Sequence, residues 1–303
     1  MGAGGTGPTA GAAPAWRHAT GALSLDRPRI LGIVNVTPDS FSDGGQLATV
    51  DDARRHVDQL VAEGADVIDI GGESTRPQGA EPVDEKEERG RVLPVVMAVR
   101  RDHPTVPISV DTTKAVVATA ALEAGASIVN DVSAFRLDAG MARVCAAAGA
   151  GVVLMHSRGD VATMATYAHA TYGDDPVGEV IAELRAAVDG VLNAGVAVDR
   201  IVLDPGLGFA KRSAVSIAVL SELTRLVDLG YPVLVGASRK RFIGDITGIA
   251  TPADRVGGTV GANVAALARG ARLFRVHDVK PSRDALDVAW TILWPRGGSS
   301  GTW

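Results

Sequence analysis

The chain of 303 residues contains a single cysteine, Cys145. One cysteine excludes an intramolecular disulfide and any cysteine-based zinc cage. Its position beside Met141 and Val144 on an apolar helical face assigns it to the core. No apolar run is as long as the roughly 18 residues that suggest a membrane span. No block of like charge exists beyond the short stretch Asp84–Glu88, and the net charge is −5. That balance argues against a nucleic-acid surface or a polybasic membrane surface, while leaving a local cationic pocket open. No Gly-x-Ser-x-Gly elbow ends a strand, so serine nucleophilic catalysis has no support. No Walker A pattern is present, and Gly206-Leu-Gly208 lacks the third glycine of a dinucleotide fingerprint. His156 and His277 stand outside HxH or HExxH spacing, which leaves zinc without a motif.

The remaining composition, 46% hydrophobic and 21% charged, is that of a globular chain with a full core. Residues 1–25 read as a flexible extension, its first fifteen rich in Gly, Ala, Pro and Thr without a basic start or an apolar core of the secretory kind. Residues 26–295 read as one domain and residues 296–303 as a tail. The default location is the cytoplasm.

Within the domain, period-2 and period-3.6 segments alternate. Strands are expected at Ile30 to Asn35, Asp66–Ile70, Pro107–Asp111, Ser127–Asp131, Gly151–His156, Arg200–Asp204, Pro232–Gly236 and Ala271–Asp278. The helices between them are expected to cap at Asp51, Asp254 and Ser282, while the second begins at Asp84 and is kinked by Pro94. Gly-Ala recurs just before a strand at Gly64, Gly125, Gly149 and Gly270, where glycine supplies the left-handed helix stop. Short turns on one rim and long polar loops on the other describe an α/β fold, a (β/α)8 TIM barrel with its site at the C-terminal strand ends. An open doubly wound sheet is the alternative.

Each strand ends on polar residues: Asn35; Asp69 with Glu73, Thr75 and Arg76; Asp111; Asn130; His156; Asp204; Ser238 with Lys240; Arg275 with His277. Asp111, Asp204 and Asn130 offer acceptors and an amide to a flat group with several N–H donors. Lys240, Arg275, His277, Arg76 and Asn35 offer donors and positive charge suited to phosphate. The set calls for a substrate with a heterocycle at one end and an anion at the other. The polar loop Thr37–Gly45 after the first strand is expected to be a mobile lid.

Seven stretches carry a family resemblance: Asn35–Gly45, Asp69–Pro77, Ser109–Thr112, Asn130-Asp131, Leu203–Phe209, Gly236–Lys240 and Arg275–Val279. In register from about Ile30 to Trp290, they resemble the dihydropteroate synthases, pterin-binding TIM barrels. The resemblance implies a transferase that condenses 6-hydroxymethyl-7,8-dihydropterin diphosphate with p-aminobenzoate, releasing diphosphate in folate biosynthesis. By the same resemblance Asp111, Asn130, Asp204 and Lys240 would hold the pterin. Asn35, Arg76, Arg275 and His277 would hold diphosphate, with Asn35 also on Mg2+. Thr75, Pro77, Phe209 and Ser238 would border p-aminobenzoate, whose place sulfonamides take in the family. A homodimer is implied, with no nucleic-acid or membrane partner. The segment Ser157–Asp175 fits no pattern, and Gln78 stands where the family often has glycine. Rival readings are a methyltetrahydrofolate-dependent methyltransferase, which needs no diphosphate clamp, and a paralogue that binds pterins without catalysis.

Overall fold

The barrel is built by parallel strands alternating with helices, because each apolar strand must be covered on its outer face. A computed structural model of the chain describes residues 15–36, 50–73 and 83–295. An antiparallel hairpin opens it, β1 Ala15–His18 and β2 Gly21–Ser24, followed by β3 Arg29–Asn35. Then come α1 Val50–Ala62, β4 Val67–Gly71, α2 Glu85–Asp102, β5 Ile108–Asp111 and α3 Ala115–Glu123. β6 Ile128–Asp131, α4 Met141–Ala148, β7 Gly151–Met155 and α5 Pro176–Asn193 continue the alternation. β8 Ile201–Asp204, α6 Ser213–Ser221, α7 Leu223–Val227 and β9 Leu234–Val235 follow. The last elements are α8 Arg241–Thr247, α9 Val256–Ala268, β10 Leu273–Val276 and α10 Val279–Leu293.

The parallel sheet runs β8-β7-β6-β5-β4-β3-β10-β9. A bridge from Leu203 in β8 to Val233, just before β9, joins its two edges. Closure decides against the open sheet and gives the expected (β/α)8 barrel. Gly64, Gly125, Gly149 and Gly270 all take positive φ, the left-handed stop that the repeated Gly-Ala pairs require.

Strand parity sorts the core. One set of alternate residues (Ile30, Ile68, Ile108, Val129, Val152, Ile201, Val235 and Phe274 among them) packs against the helices. The other set (Leu31, Val67, Ile128, Val153, Val202, Leu234 and Leu273) forms a separate cluster inside the barrel. Trp16 and Leu25 belong to that inner cluster. The hairpin is therefore a plug at the barrel floor, and residues 15–25 are not part of a flexible extension. The cause is Trp16, which is fully buried and donates its indole N–H to the Arg200 carbonyl at 2.8 Å. Burying such a ring contributes about 4–6 kcal/mol, which a Gly/Ala-rich neighbourhood does not reveal.

Several local expectations need correction. Asp51 lies in the first turn of α1 and not before it. Asp254 sits in a 3-10 turn at Pro252–Arg255, and Ser282 is buried within α10, whose cap position is Asp278. Asp84 does cap α2, accepting from the Glu87 N–H at 2.7 Å, and Pro94 lies inside that helix without ending it. The loop Thr37–Gly45 and the tail 296–303 lie outside the described residues.

Candidate active site

Moving two residues along each strand from the inner apolar cluster keeps the side chain pointing inward. From Leu31, Val67, Ile128, Val153, Val202, Leu234 and Leu273 this step leads to Ile33, Asp69, Asn130, Met155, Asp204, Gly236 and Arg275. On β5 the same step leads from Ser109 to Asp111. The interior thus changes from apolar to polar within one layer, and the polar layer is the one at the C-terminal ends.

Arg275 organises that layer. Its Nε donates to Asp69 Oδ2 at 2.6 Å and its Nη2 to Asp111 Oδ2 at 2.7 Å. It reaches across β3 to do so, since the order there is β10-β3-β4-β5. Burial alone would lower the guanidinium pKa, but Asp69 and Asp111 outweigh it and hold the group charged. Asn130 Nδ2 also donates to Asp69 Oδ2, at 3.3 Å. Asp69, fully buried, is thereby the counter-ion of the layer. Asp111 is raised by burial and pulled back by Arg275. The acceptor and cationic groups are interleaved, so the division by charge expected from the sequence is not a division in space.

Asp204, 4% exposed, ends β8 and accepts the Gly206 N–H at 2.7 Å. Burial pushes it up to about 6, against that hydrogen bond and the nearby Lys240, Arg275 and Lys211. Lys240 follows β9 and places its Nζ 4.0 Å from the centre of the Phe209 ring. Burial, with Arg275 adding repulsion, pulls Lys240 down to about 8, opposed by Asp204 and Asp111. Ser238 Oγ lies 2.9 Å from His277 Nδ1 and accepts the His277 backbone N–H at 3.1 Å, which fixes the imidazole. Between Ser238 and Lys240, Arg239 adopts a φ of 59°. A bidentate pair to Asp278 at 3.0 and 2.7 Å and a bond from its N–H to Thr259 Oγ1 hold this left-handed residue in place.

Asn35 ends β3 in register with Gly71, and Gly71 pairs in turn with Asp111. A Cβ on Gly71 would lie 3.4 Å from Asp111 Cβ and 3.8 Å from Asn35 Oδ1, so the two side chains flank one small space. Glu73 has a structural task. It accepts the Val83 N–H at 2.7 Å and pairs with Lys114 at 3.0 Å, tying together the two ends of the loop after β4. Thr75, Arg76 and Pro77 lie on that loop, outside the described residues.

Two features were not visible in the sequence. The connection Ser157–Asp175 brings Met164 and Ala165 onto Val132, Met155 and Phe209, an apolar wall beside the polar layer. Its only signal was the mixture of Met and Ala within a polar segment. Lys211, on the loop after Asp204, is 1% exposed, and nothing but its place on that loop marked it. His156 points away from the opening, toward Lys211 and Glu183, because the inward residue of β7 is Met155.

The pterin binding enzyme family matches residues 31–277, most of the chain. A dihydropteroate synthase of Synechocystis sp. is 44% identical over 268 residues, covering 88% of this chain and 91% of that protein. The structure of Xanthomonas albilineans dihydropteroate synthase with 4-aminobenzoic acid is similar at a TM-score of 0.86 and 46% identity, covering 93% of this chain and 98% of that one. The same enzyme in complex with 7,8-dihydropteroate gives a TM-score of 0.82 at 44% identity, over 92% and 98% of the two chains. Barrel, polar strand-end layer and relatives agree: this chain belongs to the pterin-binding enzyme family and, within it, to the dihydropteroate synthases, transferases of folate biosynthesis.

Proposed function

We propose that the polar layer binds the pterin of 6-hydroxymethyl-7,8-dihydropterin diphosphate and that Arg275 of this layer, with His277, Asn35 and Arg76, holds the diphosphate. The supporting observation is the convergence of Asp111, Asn130, Asp204, Lys240 and Arg275 on one end of the barrel interior. A carboxylate such as Asp204 accepts two adjacent N–H groups of an aminopyrimidinone edge, and the Asn130 amide complements a donor and an acceptor. The wall formed by Met155 and Phe209 gives a flat ring an apolar face. His277, Arg275, Asn35 and Arg76 are assigned to diphosphate, and Ser238, Phe209, Thr75 and Pro77 to p-aminobenzoate.

Arg275 and His277 stabilise charge on the departing diphosphate as the carbon–oxygen bond breaks with both electrons on oxygen. Asp111 and Asp204, ionised, stabilise the positive charge left on the pterin methylene and its ring. The arylamine nitrogen then forms the new carbon–nitrogen bond with its lone pair and releases a proton to the departing anion or water. No protein nucleophile takes part.

Mg2+ is the assigned metal. Among the described residues no group of three or more His, Cys, Asp or Glu could hold an ion. The amide oxygen of Asn35 is a hard donor of the kind Mg2+ takes, and Mg2+ fills the rest of its shell with water and substrate phosphate. Asn35 would hold it, and the ion would neutralise developing diphosphate charge. The outer face of α6, α8 and α9 carries an apolar groove of about 240 Å³, with Ile246 64% exposed. We assign it to a second copy of the chain in a homodimer. Among the described residues no helix is long and apolar enough to cross a membrane. The cytoplasmic placement rests on the enzyme's place in folate biosynthesis. Incubation of the protein with the pterin diphosphate, p-aminobenzoate and Mg2+ is expected to yield dihydropteroate. Binding of the pterin without product would leave a non-catalytic paralogue.

A further inference from the structure

Between the end of β7 and the loop after β8 lies a buried cation that the roles above do not use. The Lys211 ammonium lies 2.6 Å from His156 Nδ1 and donates to the carbonyls of Gly206 and Phe209, each at 3.1 Å, and of His156 at 3.3 Å. Three protons thus serve four acceptors, one of them shared. The carbonyls come from two segments, the end of β7 and the loop that leaves Asp204 and carries Phe209.

That loop cannot hold its own shape cheaply. Gly206, Gly208 and Ala210 have φ of 65°, 76° and 46°. Its approach to β7 is so close that a Cβ on Gly206 would stand 1.9 Å from the His156 carbonyl oxygen. Such a backbone persists where its surroundings over-determine it, and Lys211 supplies bonds to both sides of the seam.

The lysine is itself held from outside. With Nδ1 accepting from the ammonium, His156 is neutral and its Nε2–H donates to Glu183 Oε2 at 3.1 Å. Glu183 is 43% exposed, also accepts from Arg158 Nε at 3.0 Å, and lines a cavity of about 480 Å³ together with His156 and Arg136. The line Glu183–His156–Lys211 therefore runs from a surface cavity to the loop that leaves Asp204 and carries Phe209.

We propose that Lys211, anchored by His156 and Glu183, is a positioning residue that sets Asp204 and Phe209 for the pterin. This rests on the assignment of Asp204 to the pterin made above. The charged groups facing the ammonium are Asp204 on β8 and Glu183 on α5, which attract it, and Arg158 and Lys240, which repel it. Burial pulls Lys211 down to about 7, and Asp204 opposes that pull. Lys211 in turn opposes the rise of Asp204. Removing the lysine thus both frees the loop and makes Asp204 harder to ionise.

The test is calorimetric titration of 6-hydroxymethylpterin, between pH 5 and 8, into the wild-type chain, Lys211→Met and Glu183→Gln. Lys211→Met is expected to loosen binding about tenfold at neutral pH and to move the acid limb of affinity upward. Glu183→Gln keeps an acceptor for His156 on an exposed side chain, and is expected to shift both in the same direction by about threefold or less. A purely structural lysine would lower the unfolding midpoint without moving the acid limb of the folded protein, and that result would overturn the proposal. If Lys211→Met does not fold, Glu183→Gln decides alone, and an acid limb identical to wild type refutes it. Failure of the wild-type chain to bind the pterin would instead remove the assignment of Asp204 itself.

Discussion

Two successive layers of the same barrel interior have opposite chemistry. The lower layer, Leu31, Val67, Ile128, Val153, Val202, Leu234 and Leu273, is closed from below by Trp16 and contains the ordinary forces of a core. The upper layer, one side-chain step further along the same strands, contains Asp69, Asp111, Asn130, Asp204 and Arg275. Backbone geometry is shared, so the difference belongs to the side chains alone. The lower layer is free to maximise burial. The upper layer carries charges that cost desolvation and persist because they neutralise one another in the absence of substrate.

The largest expected effect comes from removing the charge at the centre of the upper layer. Arg275→Met leaves Asp69 and Asp111 without their common partner, at a cost of about 3–5 kcal/mol in stability. Urea titration should show that loss, and product formation should fall to background; an active, fully stable variant would erase the distinction between the layers. Trp16→Ala is the matching change below. It should cost a similar 3–5 kcal/mol by leaving a cavity, while kcat/KM per folded molecule stays at the wild-type value. A selective loss of turnover in the folded variant would mean that the plug takes part in the chemistry.

A smaller effect separates the layers by pH. Asp204 titrates at about 6 where an aspartate ordinarily titrates at 3.8, so its charge disappears as the pH falls through 6. Lys240 titrates at about 8 where a lysine ordinarily titrates at 10.5, so its charge disappears as the pH rises through 8. The kcat/KM profile should therefore fall away below about 6 and above about 8. A profile level down to pH 4.5 would take Asp204 out of substrate recognition.

The upper layer was largely legible in the sequence because it obeys strand parity: a polar residue two places after an inward Val, Ile or Leu announces itself at Asp69, Asn130, Asp204 and Arg275. What parity cannot show is who pairs with whom. The bonds from Arg275 to Asp69 and Asp111 span 206 and 164 residues, and the second joins groups that charge alone had sorted into separate ends of the substrate. Lys211 was hidden for a different reason. A lysine near a glycine-rich loop reads as solvated, and only the fold reveals that three carbonyls and an imidazole surround it. Trp16 was lost because four-residue strands in a Gly/Ala-rich stretch carry too little periodicity. Helix starts suffered similarly: Asp254 and Ser282 have capping side chains, yet the chain begins its helices elsewhere.

The contrast between the layers can be tested on a single strand, since Val202 and Asp204 are neighbours on the same face of β8. Titration of 6-hydroxymethylpterin into folded Asp204→Asn and Val202→Ala measures both. Asp204→Asn should lose about 1–3 kcal/mol of affinity, because an amide donor would then face a ring donor. Val202→Ala should unfold earlier in urea and bind the pterin as the wild-type chain does. Equal losses of affinity in the two variants would contradict the account.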